Sequence, residues 1–78
     1  MTIDEYTDFE LAEFFAFLDD IKADGSTNMK GAAPDLERAF DMPLTDARDV
    51  LASWFGTLDP WRTPMERARD AINLMRAD

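Results

Sequence analysis

The sequence predicts an all-α fold, a compact bundle of about four short helices in a single domain over residues 1–78. Three observations predict it. Apolar residues recur at three- and four-residue spacing through most of the chain. Capping signals head the apolar runs, and glycine or proline closes them. No segment alternates apolar and polar residues with the period of two that a half-buried strand requires.

The first helix is expected over residues 7–23, with an extension toward Thr2 left open. Thr2-x-x-Glu5 and Thr7-x-x-Glu10 are two candidate capping boxes, in which hydroxyl and carboxylate each accept from an orphan backbone N–H. Leu11, Phe14, Phe15, Leu18 and Ile21 then form one apolar stripe, and Gly25 ends the helix. Residues 25–28 read as a turn. The second helix falls within residues 29–40, with Asn28 as a candidate cap; Pro34 suits a first turn, so a start near Ala33 fits best. Asp41-Met42-Pro43 breaks it. Thr45 is expected to cap the third helix, which carries Ala47, Val50, Leu51, Trp54 and Phe55 on one face and ends at Gly56. After a loop over residues 57–62, Thr63 caps the fourth helix, Pro64 takes its first position and Glu66 closes the box. Its apolar face is Met65, Ala68, Ile72 and Met75, helped by Ala71 and Leu74.

Composition narrows the function classes. At 78 residues the chain is near the lower limit for a fold held by its core alone. Without cysteine it has no disulfides or thiolate metal sites, so its stability must come from large side chains: six Phe, two Trp and one Tyr. The absence of histidine removes the commonest general base, and carboxylate pairs on solvated helix faces read as charge display. No catalytic site and no cofactor are expected. Residues 20–25 place a glycine where a calcium loop needs one. Lys22 stands where that loop needs an oxygen ligand, however, and Gly31 where it needs a glutamate, so no metal site is expected. No apolar run reaches the ~18 residues of a membrane span, and Met1-Thr2-Ile3-Asp4-Glu5 is acidic where a signal peptide starts basic; a cytoplasmic protein is expected.

The net charge of −9 is unevenly spread. Residues 1–24 hold eight acids against Lys22 alone, whereas residues 61–78 hold four arginines against three acids. Such an acidic pole repels phosphate backbones and attracts basic protein surfaces, although the same charge also serves plain solubility. The outer half of the first helix concentrates the feature. Glu13, Asp20 and Asp24 fall opposite the apolar stripe, Glu10 lies at its margin, and Tyr6, Phe9 and Phe17 share that half. Rings anchor an interface and charges steer toward it, so Phe9, Glu10, Glu13, Phe17, Asp20 and Asp24 form the candidate partner-binding surface. The alternative is that the C-terminal helix buries Phe9 and Phe17.

Residues 33–54 resemble the helix-turn-helix class, with Leu36, Phe40, Met42, Ala47 and Val50 as interior positions and residues 41–44 as the turn. Asp41 replaces the usual turn glycine, and the helix that would read DNA displays Thr45, Asp46, Arg48, Asp49 and Ser53, with two carboxylates facing phosphate. A tight corner between two helices is the plainer reading, and direct nucleic-acid binding is not expected. Gly31-Ala32-Ala33-Pro34-Asp35-Leu36-Glu37, followed by residues 47–54, resembles a pattern in small bacteriophage proteins. Size, acidity and the lack of catalytic residues are similar to those of phage-encoded anti-CRISPR proteins, many of which occlude DNA-binding surfaces. That class shares no sequence motif and assigns no residue. The resemblance implies a phage or mobile-element inhibitor, a DNA mimic in charge, that binds the basic surface of a host nucleic-acid-binding defence complex. The alternative function is a degenerate helix-turn-helix regulator touching DNA through Arg48 or the C-terminal arginines. Monomer and homodimer are both left open.

Overall fold

Thr7 fixes where the longest helix begins. Its hydroxyl accepts the Glu10 N–H at 3.1 Å while Glu10 Oε1 accepts the Thr7 N–H at 2.9 Å, so the expected capping box is formed and α1 (Asp8–Asp24) follows it. The computed structural model describes residues 5–25 and 28–76, with side chains through residue 74. The other candidate box, at Thr2, lies outside the described residues. At its far end α1 stops on Gly25, whose φ of 73° is left-handed and whose amide donates to the Ile21 and Lys22 carbonyls at 3.3 and 3.2 Å.

Within residues 29–40 the second helix starts at Ala33, as Pro34 led one to expect, and a separate short turn precedes it. Met29–Gly31 is a 3₁₀ turn capped by Asn28, whose side-chain oxygen accepts the Lys30 N–H at 3.1 Å. α2 (Ala33–Phe40) then starts with Pro34 in its first turn, where a missing N–H costs nothing. Asp41 takes a left-handed conformation, φ 53°, and Pro43 is extended. α3 (Leu44–Gly56) therefore begins two residues earlier than a Thr45 cap allows. Thr45 sits inside the first turn, and no side chain caps that helix. Its other end also shifts. Gly56 is the last helical residue, and Thr57 closes the helix through its amide and through its hydroxyl, which donates to the Ser53 carbonyl at 2.8 Å. α4 (Pro64–Arg76) opens as the sequence specifies. Thr63 Oγ1 accepts the Glu66 N–H at 3.2 Å, and the Thr63 N–H bonds Glu66 Oε1 at 2.8 Å, which holds the Glu66 carboxyl below its ordinary range.

The all-α class is as predicted: four α-helices and no strand among the described residues. They pack as two pairs. α1 lies chiefly against α4 and α2 against α3, and α3 joins the pairs by touching both α1 and α4. Leu11, Phe14, Phe15 and Leu18 of α1 meet Leu36, Val50 and Trp54 at the centre, with Ala68 and Ala71 presenting small side chains from α4. Trp54 is 1% exposed. The aromatic residues also tie the periphery together through edge-to-face contacts, running Tyr6 to Phe14 to Phe40 to Phe17 with centroids 4.7–5.3 Å apart. Phe55 and Leu74, expected on apolar inner faces, are exposed instead. No helix among the described residues is long and apolar enough to cross a membrane.

Candidate partner-binding surface

The outer side of α1 is built by its own periodicity. With Leu11, Phe14, Phe15 and Leu18 turned inward, a step of ~100° per residue brings Phe9, Glu13, Asp20 and Asp24 into one strip about 60° wide on the far side. All four are exposed, and Phe9 is 72% exposed, with neither α4 nor any other described element covering it. Glu10 is exposed too, with one carboxylate oxygen committed to the Thr7 cap. Phe17 differs from the rest of the expected surface. It is half-buried, edge-to-face on Phe40 at 5.3 Å, and forms part of the wall of the core. The element that covers it is α2, not the C-terminal helix. Tyr6 also turns inward: its ring packs on Phe14, and its hydroxyl donates to Asp46 Oδ2 at 2.5 Å.

Asp8 and Asp19 of the N-terminal pole are held by arginines of α4. Asp8 pairs with Arg69 at 3.2 Å across to α4. Asp19 belongs to a junction that the sequence reading missed. Arg67, 3% exposed, directs Nη1 to Asp19 Oδ1 at 2.9 Å and Oδ2 at 3.2 Å, Nε to the Thr57 carbonyl at 3.0 Å and Nη2 to the Trp54 carbonyl at 3.2 Å. Its guanidinium lies 5.4 Å from the Phe15 ring centroid and 5.5 Å from that of Trp54. Trp54 Nε1 donates to the same Asp19 oxygen at 2.9 Å. One carboxylate thereby binds α1 to α3 and α4. A buried indole needs an acceptor for its N–H. Arg67 lies one turn before Ala71, beside the apolar face of α4. Together those two facts are the sequence signal for this junction.

A second buried charge lies at the start of α3. Asp46 is 3% exposed, accepts from Tyr6, and has no partner for Oδ1 among the described residues. Its position in the first helical turn gives the carboxylate the favourable end of the helix dipole. The Tyr6 hydroxyl, for its part, is pushed up to about 12, first by desolvation and then by the bond to Asp46. Of the arginines expected to touch DNA in the regulator reading, Arg48 is exposed, whereas the C-terminal ones are largely committed. Arg67 is buried, Arg62 grips Asp70 at 2.8 and 2.9 Å, and Arg69 holds Asp8, while the Arg76 side chain lies outside the described residues. No group of three or more metal-ligating side chains that could hold an ion is gathered among the described residues. No protein-family model matches the chain, and neither a curated protein nor a solved structure matches it.

Proposed function

We propose that the chain is a protein-binding inhibitor. It lays the outer side of α1 on a basic, nucleic-acid-binding surface of another protein, in the manner of the anti-CRISPR class it resembles. The observation that carries this reading is the exposed strip of Phe9, Glu13, Asp20 and Asp24 on a chain of net charge −9. Carboxylates at these positions steer a basic surface toward the helix, and Phe9 supplies the ring that desolvates after contact. Glu10 extends the charge at one margin. Phe17 supports the strip from the core side.

The test uses the full chain as bait, alongside Phe9→Ala and the double variant Glu13→Lys/Asp20→Lys. A nucleic-acid-binding protein should be retained by the wild type and released by competing DNA. The charge reversal should slow its association, and Phe9→Ala should speed its dissociation. Retention indifferent to DNA and to the charge reversal would overturn the proposal. The regulator reading draws on one observation, the left-handed Asp41 at a helix-turn-helix-like corner with Arg48 exposed beyond it. A mobility-shift assay at physiological salt decides it, and sub-micromolar duplex binding would put it first.

A further inference from the structure

α3 has a second side that the bundle covers only in part, with Leu51 buried, Leu44 half-buried, and Arg48, Ala52 and Phe55 exposed. Leu44, Arg48, Leu51, Ala52 and Phe55 recur at helical spacing and share about 100° of its circumference, next to the side that enters the core. The stretch runs about three turns, ~17 Å along the helix. It forms one wall of a cleft of about 360 Å³, whose other wall is the first turn of α2 together with Lys30 from the 3₁₀ turn before it. Phe55 stands 40% exposed at one end.

Charge says what the cleft takes. No carboxylate lines it, on a chain with 17 of them. Its two cations are exposed, and neither makes an ion pair among the described residues, whereas Arg38, Arg62, Arg67 and Arg69 all do. An apolar floor three turns long suits a helix laid in a groove, and unpaired cations suit carboxylates flanking that helix's apolar stripe. We infer that this cleft docks an acidic amphipathic helix of a partner protein, its apolar side chains covering Leu44, Ala52 and Phe55 and its carboxylates pairing with Lys30 and Arg48. A second copy of the chain is the poorer occupant. The outer side of α1 offers Phe9 as its one large exposed apolar group, and two chains of −9 repel each other. This site shares no residue with the α1 strip, so either proposal can fail alone.

The test is an NMR titration of the full chain, at about 0.15 M salt. The probe is a synthetic acidic peptide of about 18 residues with leucines at helical spacing and glutamates between them, long enough to hold a helix. A second peptide with lysine for every glutamate is the control. The acidic peptide should shift the amides of residues 44–55 and of Lys30 saturably. Lys30→Glu/Arg48→Glu should weaken it about tenfold or more, and Phe55→Ala should weaken it without altering the helical circular dichroism. Long-range repulsion by the chain's net charge gives a second signature: association should quicken as salt rises from low values, opposite to the behaviour expected of a basic partner at α1. The inference is overturned by an absence of shifts at residues 44–55, by equal occupancy of the cleft by the lysine peptide, or by indifference to the double reversal. Concentration-dependent dimers lost on Phe55→Ala would give the cleft to a second copy, and duplex DNA shifting the same amides would give it to nucleic acid; either overturns the inference as well.

Discussion

Arg67 and Asp46 are equally buried, each 3% exposed, yet they are held in opposite ways. Arg67 sits at the junction of α1, α3 and α4 with four hydrogen bonds to oxygen and two aromatic faces beside it. Asp46 sits at the head of α3 with one phenol for one oxygen and no partner for the other among the described residues. A buried charge is expensive to desolvate, and only a complete set of partners in good geometry offsets that cost. The Arg67 junction is therefore a hub that fixes how three helices meet. The Asp46 contact is a weaker latch, holding the segment before α1 against α3 and leaning on the helix dipole for part of its support.

The largest effect should come from the hub. Arg67→Ala removes the guanidinium and leaves the Thr57 carbonyl without this donor and the Trp54 carbonyl with only the Thr57 amide at 3.3 Å, so a loss of about 3–5 kcal/mol is expected in urea denaturation. Domain stabilities run about 5–15 kcal/mol, which makes this a large share of the total. Arg67→Met refills most of the volume and should cost less, because Asp19 keeps access to water with its side chain 38% exposed. Equal damage from both substitutions would assign the hub's value to its hydrogen bonds. A harmless Arg67→Ala would dissolve the distinction between hub and latch altogether.

The latch should yield less. Tyr6→Phe keeps the ring on Phe14 but leaves Asp46 without its one donor, at an expected cost of about 1–3 kcal/mol. Adding Asp46→Leu should restore part of that loss, since removing both polar partners costs less than stranding one. The same contact has a pH signature. The Tyr6 hydroxyl titrates at about 12 in the folded protein against an ordinary value of 10.0. Its contribution is therefore complete below pH 10 and is lost as pH rises through 12. Stability of the wild type should fall across that window, and Tyr6→Phe should remove this component of the fall. Tyr6 is the chain's one tyrosine, so the absorbance of tyrosinate follows it directly. A midpoint near 10 would show the phenol free in water and the latch absent.

The contrast also marks what the sequence could convey. Signals that act within one turn of the chain were legible: the boxes at Thr7 and Thr63, the left-handed Gly25, and Pro34 dividing the second segment. Apolar periodicity located most of the core, Trp54 included. The limits appeared where one local signal competes with another. Pro43 sets the start of α3 and leaves Thr45 nothing to cap. They also appeared where the partner is distant in sequence. The bonds from Asp19 to Trp54 and Arg67 span 35 and 48 residues, and the Tyr6 bond to Asp46 spans 40. A charge count treats Asp19 like Asp20, although one is bound into the junction and the other faces outward. For the candidate surface the helical period sufficed for Phe9, Glu13, Asp20 and Asp24. It could not show that Phe40 covers Phe17.

The smallest effect should come from an arginine that, like Arg67, holds an aspartate by two hydrogen bonds but differs in setting. Arg62 grips Asp70 through Nε and Nη2 at 2.9 and 2.8 Å, with Glu66 3.9 Å away, and the bond to Asp70 raises its guanidinium above the ordinary value. On contact geometry alone this pair rivals Arg67 with Asp19. Its side chains, however, are 40% and 38% exposed, so water competes for every donor and salt screens what remains. Arg62→Ala should therefore barely move the urea midpoint, and any shift should shrink between about 0.05 and 0.5 M salt, as the Debye length contracts. The loss at Arg67→Ala should persist across the same range, because Arg67 itself is buried and two of its acceptors, the Trp54 and Thr57 carbonyls, are neutral. A salt-insensitive penalty at Arg62 as large as that at Arg67 would mean that bidentate geometry, not burial among complete partners, holds this bundle together.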